Sequence, residues 1–121
     1  MTSGNTFSGP PGSVGVRSGV GASGAAAPVL VTLAGEIDAS LAPELERCVT
    51  EALAAGRPVV VEAGAVTFMD STGLGFLARL ASRSGERRIT VQGAPEHVRH
   101  LVHRARLDEM IELQTLPGAT A

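Results

Sequence analysis

A chain of 121 residues, 44% of them hydrophobic and 18% charged, has room for one compact core and not for two. Ten basic residues, all arginine, stand against twelve acidic ones, and the net charge of −2 leaves no electrostatic footprint for nucleic acid. One cysteine, Cys48, excludes an internal disulfide or a cysteine-based metal cluster and fits a reducing compartment.

No apolar run reaches the ~18 to 20 residues of a membrane-spanning helix, and the N-terminus lacks a signal-peptide pattern, so a cytoplasmic protein is expected. With three Phe and no Trp or Tyr, the core must be aliphatic, drawn from thirteen Val, twelve Leu and part of eighteen Ala. Stacking on exposed bases is therefore not on offer.

Residues 1–28 hold seven Gly, five Ser, four Ala and three Pro with no acidic residue, a composition expected to stay mobile. Within it Val14, Val16 and Val20 alternate with small or polar residues, the pattern of a weak edge strand over Ser13–Val20. The run Val29-Leu-Val-Thr-Leu33 predicts a strand ending at Gly35. Ser40 is placed to cap a helix with Pro43 in its first turn. Leu41, Leu45, Cys48, Val49, Ala52 and Leu53 form its apolar face, and Gly56 and Pro58 stop it.

Pro58-Val-Val-Val-Glu62 reads as a strand covered on both sides, with Val66-Thr-Phe-Met69 leading out of it toward Asp70. Leu74, Leu77, Ala78 and Ala81 mark a helix running to Gly85, and Arg88-Ile-Thr-Val-Gln92 a further strand. Pro95 opens a helix with Val98, Leu101, Val102 and Ala105 on one side, and Met110-Ile-Glu-Leu113 is a last short strand. Strands alternating with amphipathic helices imply right-handed crossovers and an α/β sandwich on a largely parallel sheet, with no space for an internal active-site cavity.

The most distinctive segment is Thr67-Phe-Met-Asp-Ser-Thr-Gly-Leu-Gly75, a strand end that turns into a helix. Its structural reading makes Asp70 or Ser71 an N-cap and lets Gly73 and Gly75 bring helix and sheet close. Its functional reading puts the Ser71 and Thr72 hydroxyls at the positive end of a helix dipole, where an added phosphate changes the surface without melting the helix.

This segment, with Gly35-Glu-Ile-Asp38 and Val59-Val-Val-Glu62 upstream, resembles the STAS-domain anti-sigma factor antagonists over roughly residues 13 to 113. The resemblance implies an α/β STAS fold over 13–116, a single sheet of four to five mostly parallel strands packed with three to four helices, between flexible tails at 1–12 and 117–121. It implies phosphorylation at Ser71, with Thr72 as the competing acceptor, by an anti-sigma factor that is also a serine kinase and carries the ATP. The unphosphorylated chain binds that kinase and frees a sigma factor in this scheme; phosphorylation releases it, and a metal-dependent PP2C-type phosphatase resets the switch. Glu36, Asp38, Asp70, Ser71, Thr72 and Gly73 are the expected partner-binding residues. The chain is then a substrate and binder, with no catalytic residue, cofactor or metal of its own.

Asp38 has a simpler role as a turn-forming residue, and Glu36 as a solvated loop charge. Two departures from the family pattern stand out: the long, bland Gly21–Ala27 stretch, and a final helix missing after Leu113 or reduced to Leu116-Pro-Gly. Glu62 stands where Asp is common. Rival functions are a constitutive STAS scaffold, such as a lipid-transporter subunit, and a small nucleotide-binding protein using the Ser71 helix N-terminus. The absence of a phosphate-loop motif weighs against the latter. His97, His100 and His103 recur every three residues, a spacing that spreads them over about a third of the helix circumference, so that neighbours can pair but all three do not converge on one ion. With Arg87, Arg88, Arg99, Arg104 and Arg106 they read as a solvated basic surface.

Overall fold

A computed structural model describes residues 12–17, 27–85 and 89–114. The chain runs β1 (Ser13–Arg17), β2 (Val29–Ile37), α1 (Ala42–Ala54), β3 (Val59–Met69), α2 (Ser71–Arg83), β4 (Ile89–Gln92), α3 (Glu96–Arg104) and β5 (Ile111–Gln114). Short 3-10 turns at Ala39–Leu41 and Leu107–Glu109 precede α1 and β5. The strands lie in one sheet in the order β1-β2-β3-β4-β5, with β1 antiparallel to β2 and all other pairs parallel. The expected α/β fold of four to five mostly parallel strands and three to four helices is the observed one, with five strands and three helices among the described residues. The expected tails, Val20, most of Gly21–Ala27, Arg87, Arg88 and Leu116-Pro-Gly lie outside the described residues.

Each parallel connection moves one strand along the sheet in the same direction, so right-handed crossovers put all three helices on one face. The register shows the consequence. Val29, Val59, Ile89 and Ile111 align in one row across four strands, and Val31, Val61, Val91 and Leu113 in the next. Under the helices these rows join Leu45, Val49, Phe76, Leu77, Leu80, Val98 and Val102 in a single, largely aliphatic core. Residues of the other parity, Leu30, Thr32, Val60, Glu62, Thr90 and Gln92, are half-buried or exposed. The expectation that Pro58–Glu62 is covered on both sides is therefore corrected: a sheet crossed always in one direction has helices to cover one face only.

Two further corrections concern strand ends. β2 passes through Gly35 and ends at Ile37, because Gly35 takes a left-handed φ of 74° that bends the strand without ending it. β3 is continuous from Val59 to Met69, its eleven residues matched to the nine of β2 by irregularities between Thr32 and Ala34 and between Gly35 and Glu36. At each, β3 carries one extra residue, the signature of a bulge.

Helix starts also differ in detail. Ser40 lies inside the 3-10 turn, which Asp38 caps, and Leu41 precedes α1 without a side-chain cap. Pro95 is the N-cap of α3 and not its first residue. Cys48 faces the core as its helical spacing requires, and burial, with a smaller contribution from Glu51, pushes its thiol up to about 12. α1 and α2 are tied by Glu46, 3.2 Å from Arg79 Nε and 3.5 Å from Arg83 Nη1. Arg79 Nε lacks a hydrogen bond of proper angle despite that distance, so the contact is an ion pair by proximity alone.

Candidate functional site

Parallel pairing brings the C-terminal ends of β2 and β3 side by side: Ile37 is in register with Met69, and the Asp70 amide donates to the Ile37 carbonyl at 3.3 Å. The residues that follow each strand are therefore neighbours at one edge of the molecule, where ligands and partners of open α/β sheets collect. Asp38 and Asp70 occupy equivalent places. Both are extended, with φ −138° and −117°, and both turn a carboxylate back onto the amide two residues on. Asp38 Oδ1 accepts from Ser40 N at 3.0 Å, and Asp70 Oδ1 from Thr72 N at 2.8 Å.

The capping question at α2 is thus decided for Asp70, leaving Ser71 as the first helical residue. Ser71 is exposed, and its hydroxyl makes no hydrogen bond among the described residues; Thr72 beside it is half-buried. In the other turn the Ser40 hydroxyl donates to Asp38 Oδ1 at 2.6 Å. That bond, with the Ser40 amide, holds the Asp38 carboxyl below its ordinary range. Asp38 thus plays the turn-forming role open to it from sequence.

Gly73 is buried against the end of β3. A Cβ there would lie 2.5 Å from Met69 Cγ and 2.9 Å from its Sδ, so glycine lets the first turn of α2 sit this low on the strand without displacing the Met69 side chain. Gly75 has no such role, since a Cβ would meet only Arg79 Nη1 at 3.5 Å. Glu36 is a strand residue paired with Phe68 and not a loop charge. The fold thus brings Glu36, Asp38, Asp70, Ser71, Thr72 and Gly73 to one edge.

One feature at that edge was not legible beforehand. Phe68 is 46% exposed, one of two large apolar side chains exposed among the described residues. With Met69, Leu101, Glu96, His97 and His100 it lines an open groove of about 540 Å³. Simple alternation from buried Val66 predicts Phe68 inside. The bulge at Thr67 reverses the parity, so that Met69 turns in and Phe68 out.

The three histidines of α3 do not converge on an ion. Among the described residues no three His, Cys, Asp or Glu groups could hold a metal, and His103 Nδ1 lies 3.1 Å from Asp108 Oδ2 instead.

A mostly parallel five-stranded sheet with helices on one face, and two Asp-capped turns at one edge, define the class of small α/β domain. Residues 20–115 match the family described as Mlab, STAS domain, and the chain belongs to the STAS domain family. No curated protein sequence matches it.

Among solved structures it is similar to an anti-sigma factor antagonist from Mycobacterium paratuberculosis, with 27% identity, a TM-score of 0.70, and 84% of this chain and 86% of that one covered. It shares the fold of a Thermotoga maritima protein provisionally assigned as an anti-sigma factor antagonist, at 17% identity and a TM-score of 0.59 over 82% of this chain and 85% of that one. No helix among the described residues is long and apolar enough to cross a membrane.

Proposed function

We propose that the chain is an anti-sigma factor antagonist, acting in the cytoplasm by binding and not by catalysis, and switched by phosphorylation at Ser71. The observation that carries the reading is Ser71 itself: an exposed, unbonded hydroxyl on the first residue of α2, held out by the cap that Asp70 makes. The similarity to the Mycobacterium paratuberculosis antagonist supports the same role.

In this mechanism the unphosphorylated edge docks on an anti-sigma factor with serine kinase activity, which releases its sigma factor. The kinase then transfers a phosphoryl group from its own ATP to Ser71 Oγ, whose proton is lost, and ADP leaves. A phosphate of about −1.5 to −2 charge sits well at a helix N-terminus, so α2 stays folded. It also adds charge to an edge that already carries Glu36, Asp38 and Asp70, and so raises the cost of covering that edge with a partner. A PP2C-type phosphatase restores the binding form.

The first test is mass spectrometry of the protein from its own cells, on the peptide Cys48–Arg79, which contains both acceptors. Phosphate on Ser71 and not Thr72, in a fraction that changes with growth condition, is the expected result. A Ser71→Ala bait then retains the kinase, whereas Ser71→Glu loses part of the affinity. Equal affinity of both variants for one partner, with no phosphate under any condition, would replace the switch with the constitutive scaffold.

A further inference from the structure

We infer that the groove between the end of β3 and α3 is the second half of the partner-binding surface, and that it receives an apolar side chain of the anti-sigma factor flanked by a carboxylate. This rests on the functional reading above and names what the partner must present.

Three observations lead there. First, β3 outruns its neighbour: pairing with β4 ends at Glu62 and Gln92, so among the described residues no strand flanks Thr67–Met69 on the β4 side. Phe68 fills that step and is left 46% exposed, with half-buried Leu101 across the groove from it. Second, the groove is continuous with the switch, because Phe68 and Ser71 are separated only by Met69 and Asp70, at the point where strand becomes helix.

Third, the two sides of Phe68 differ in chemistry. Toward β2 lie Glu36, its register partner, then Asp38 and Asp70. Toward α3 the groove is lined by exposed His97 and His100 together with Glu96, the one acid of that helix. Buried aromatic anchors dominate binding at interfaces, and Phe68 is central to this edge. A partner side chain entering the groove meets the imidazoles of His97 and His100 at its rim, whose N–H donors are matched by a carboxylate beside the apolar group. Ser71 does not line the groove, so the contact supplies affinity common to both phosphorylation states while Ser71 supplies the difference between them.

The test is calorimetry of the full chain against the kinase retained by the Ser71→Ala bait. Phe68→Ala is expected to weaken binding roughly 30-fold, by the same factor in wild-type and Ser71→Glu backgrounds, with Phe68→Leu recovering most of the loss. Joint His97→Glu and His100→Glu exchange weakens binding, and joint exchange to Arg preserves it. Phe68 is exposed, so an unchanged thermal midpoint in Phe68→Ala shows that the fold is kept. Failure of the wild-type chain to bind any such kinase overturns the functional reading and this inference together. Tight wild-type binding left unaltered by Phe68→Ala overturns the inference alone. Self-association in sedimentation that Phe68→Ala abolishes, with kinase affinity intact, assigns the groove to a second copy and also overturns it.

Discussion

The β2–α1 and β3–α2 turns start from the same device and finish differently. Each follows a parallel strand, and each begins with an aspartate whose carboxylate caps the amide two residues on. After Asp38 the chain makes a 3-10 turn whose third residue, Leu41, drops into the core; after Asp70 it enters an α-helix at once, and the corresponding residue is Gly73. The serine hydroxyl of the first turn is consumed by its own aspartate, whereas that of the second is unbonded and exposed. One turn is closed on itself and serves the fold. The other keeps a nucleophilic hydroxyl available at the surface, a state that costs little because water satisfies it.

The largest effect that sharpens this contrast belongs to the position three residues past each aspartate. Leu41→Ala removes a buried side chain and is expected to destabilise by about 2 to 5 kcal/mol. Gly73→Ala, at the equivalent place, drives a methyl into Met69 and is expected to cost about 1 to 3 kcal/mol. Denaturant titration of the two variants ranks them, and a neutral Gly73→Ala would show that α2 does not need glycine to sit on β3.

Next comes the serine pair. Ser71→Glu is expected to lower affinity for the proposed kinase partner within the roughly 5- to 150-fold range of allosteric couplings. Ser40→Glu, beside the same edge but outside the proposed switch, is expected to change it far less. Equal losses would make the edge merely acidic-averse and remove the special place of Ser71.

A smaller effect separates the caps. Asp70→Ala exposes the start of an α-helix and is expected to cost about 1 kcal/mol in thermal or chemical unfolding, more than Asp38→Ala, whose cap serves only a 3-10 turn.

The smallest is a pH effect. The Asp38 carboxyl is held below its ordinary value by Ser40, so its favourable contribution is present above that value and disappears as pH falls through the lowered one. NMR titration of Asp38 in Ser40→Ala is expected to show its midpoint moving up toward an ordinary aspartate, and an unmoved midpoint would remove Ser40 as the cause.

Much of this was legible in the chain because it depends on local pattern. The aliphatic runs at Val29–Leu33 and Val59–Val61 and the helical spacing from Leu45 to Ala52 each name an element and its buried face. The Asp-Ser-Thr-Gly segment suggested the proposed site by resemblance. What escaped depends on contacts between elements. Gly35 reads as a terminator, yet it is a bend inside a strand held by its neighbour. Ser40 has the right chemistry for a cap, but Asp38 reaches the amide first.

Phe68 is the clearest case of the division. Sequence alone determined that an aliphatic α/β domain forms and that a strand ends at Asp70, because hydrophobic periodicity and capping act over a few residues. Tertiary structure decided which side of that strand Phe68 faces, because β3 must insert an extra residue to stay paired with β2, and a one-residue slip reverses every side chain beyond it. It also decided that the helices cover a single face, since that follows from the order in which strands join the sheet, which no local pattern encodes.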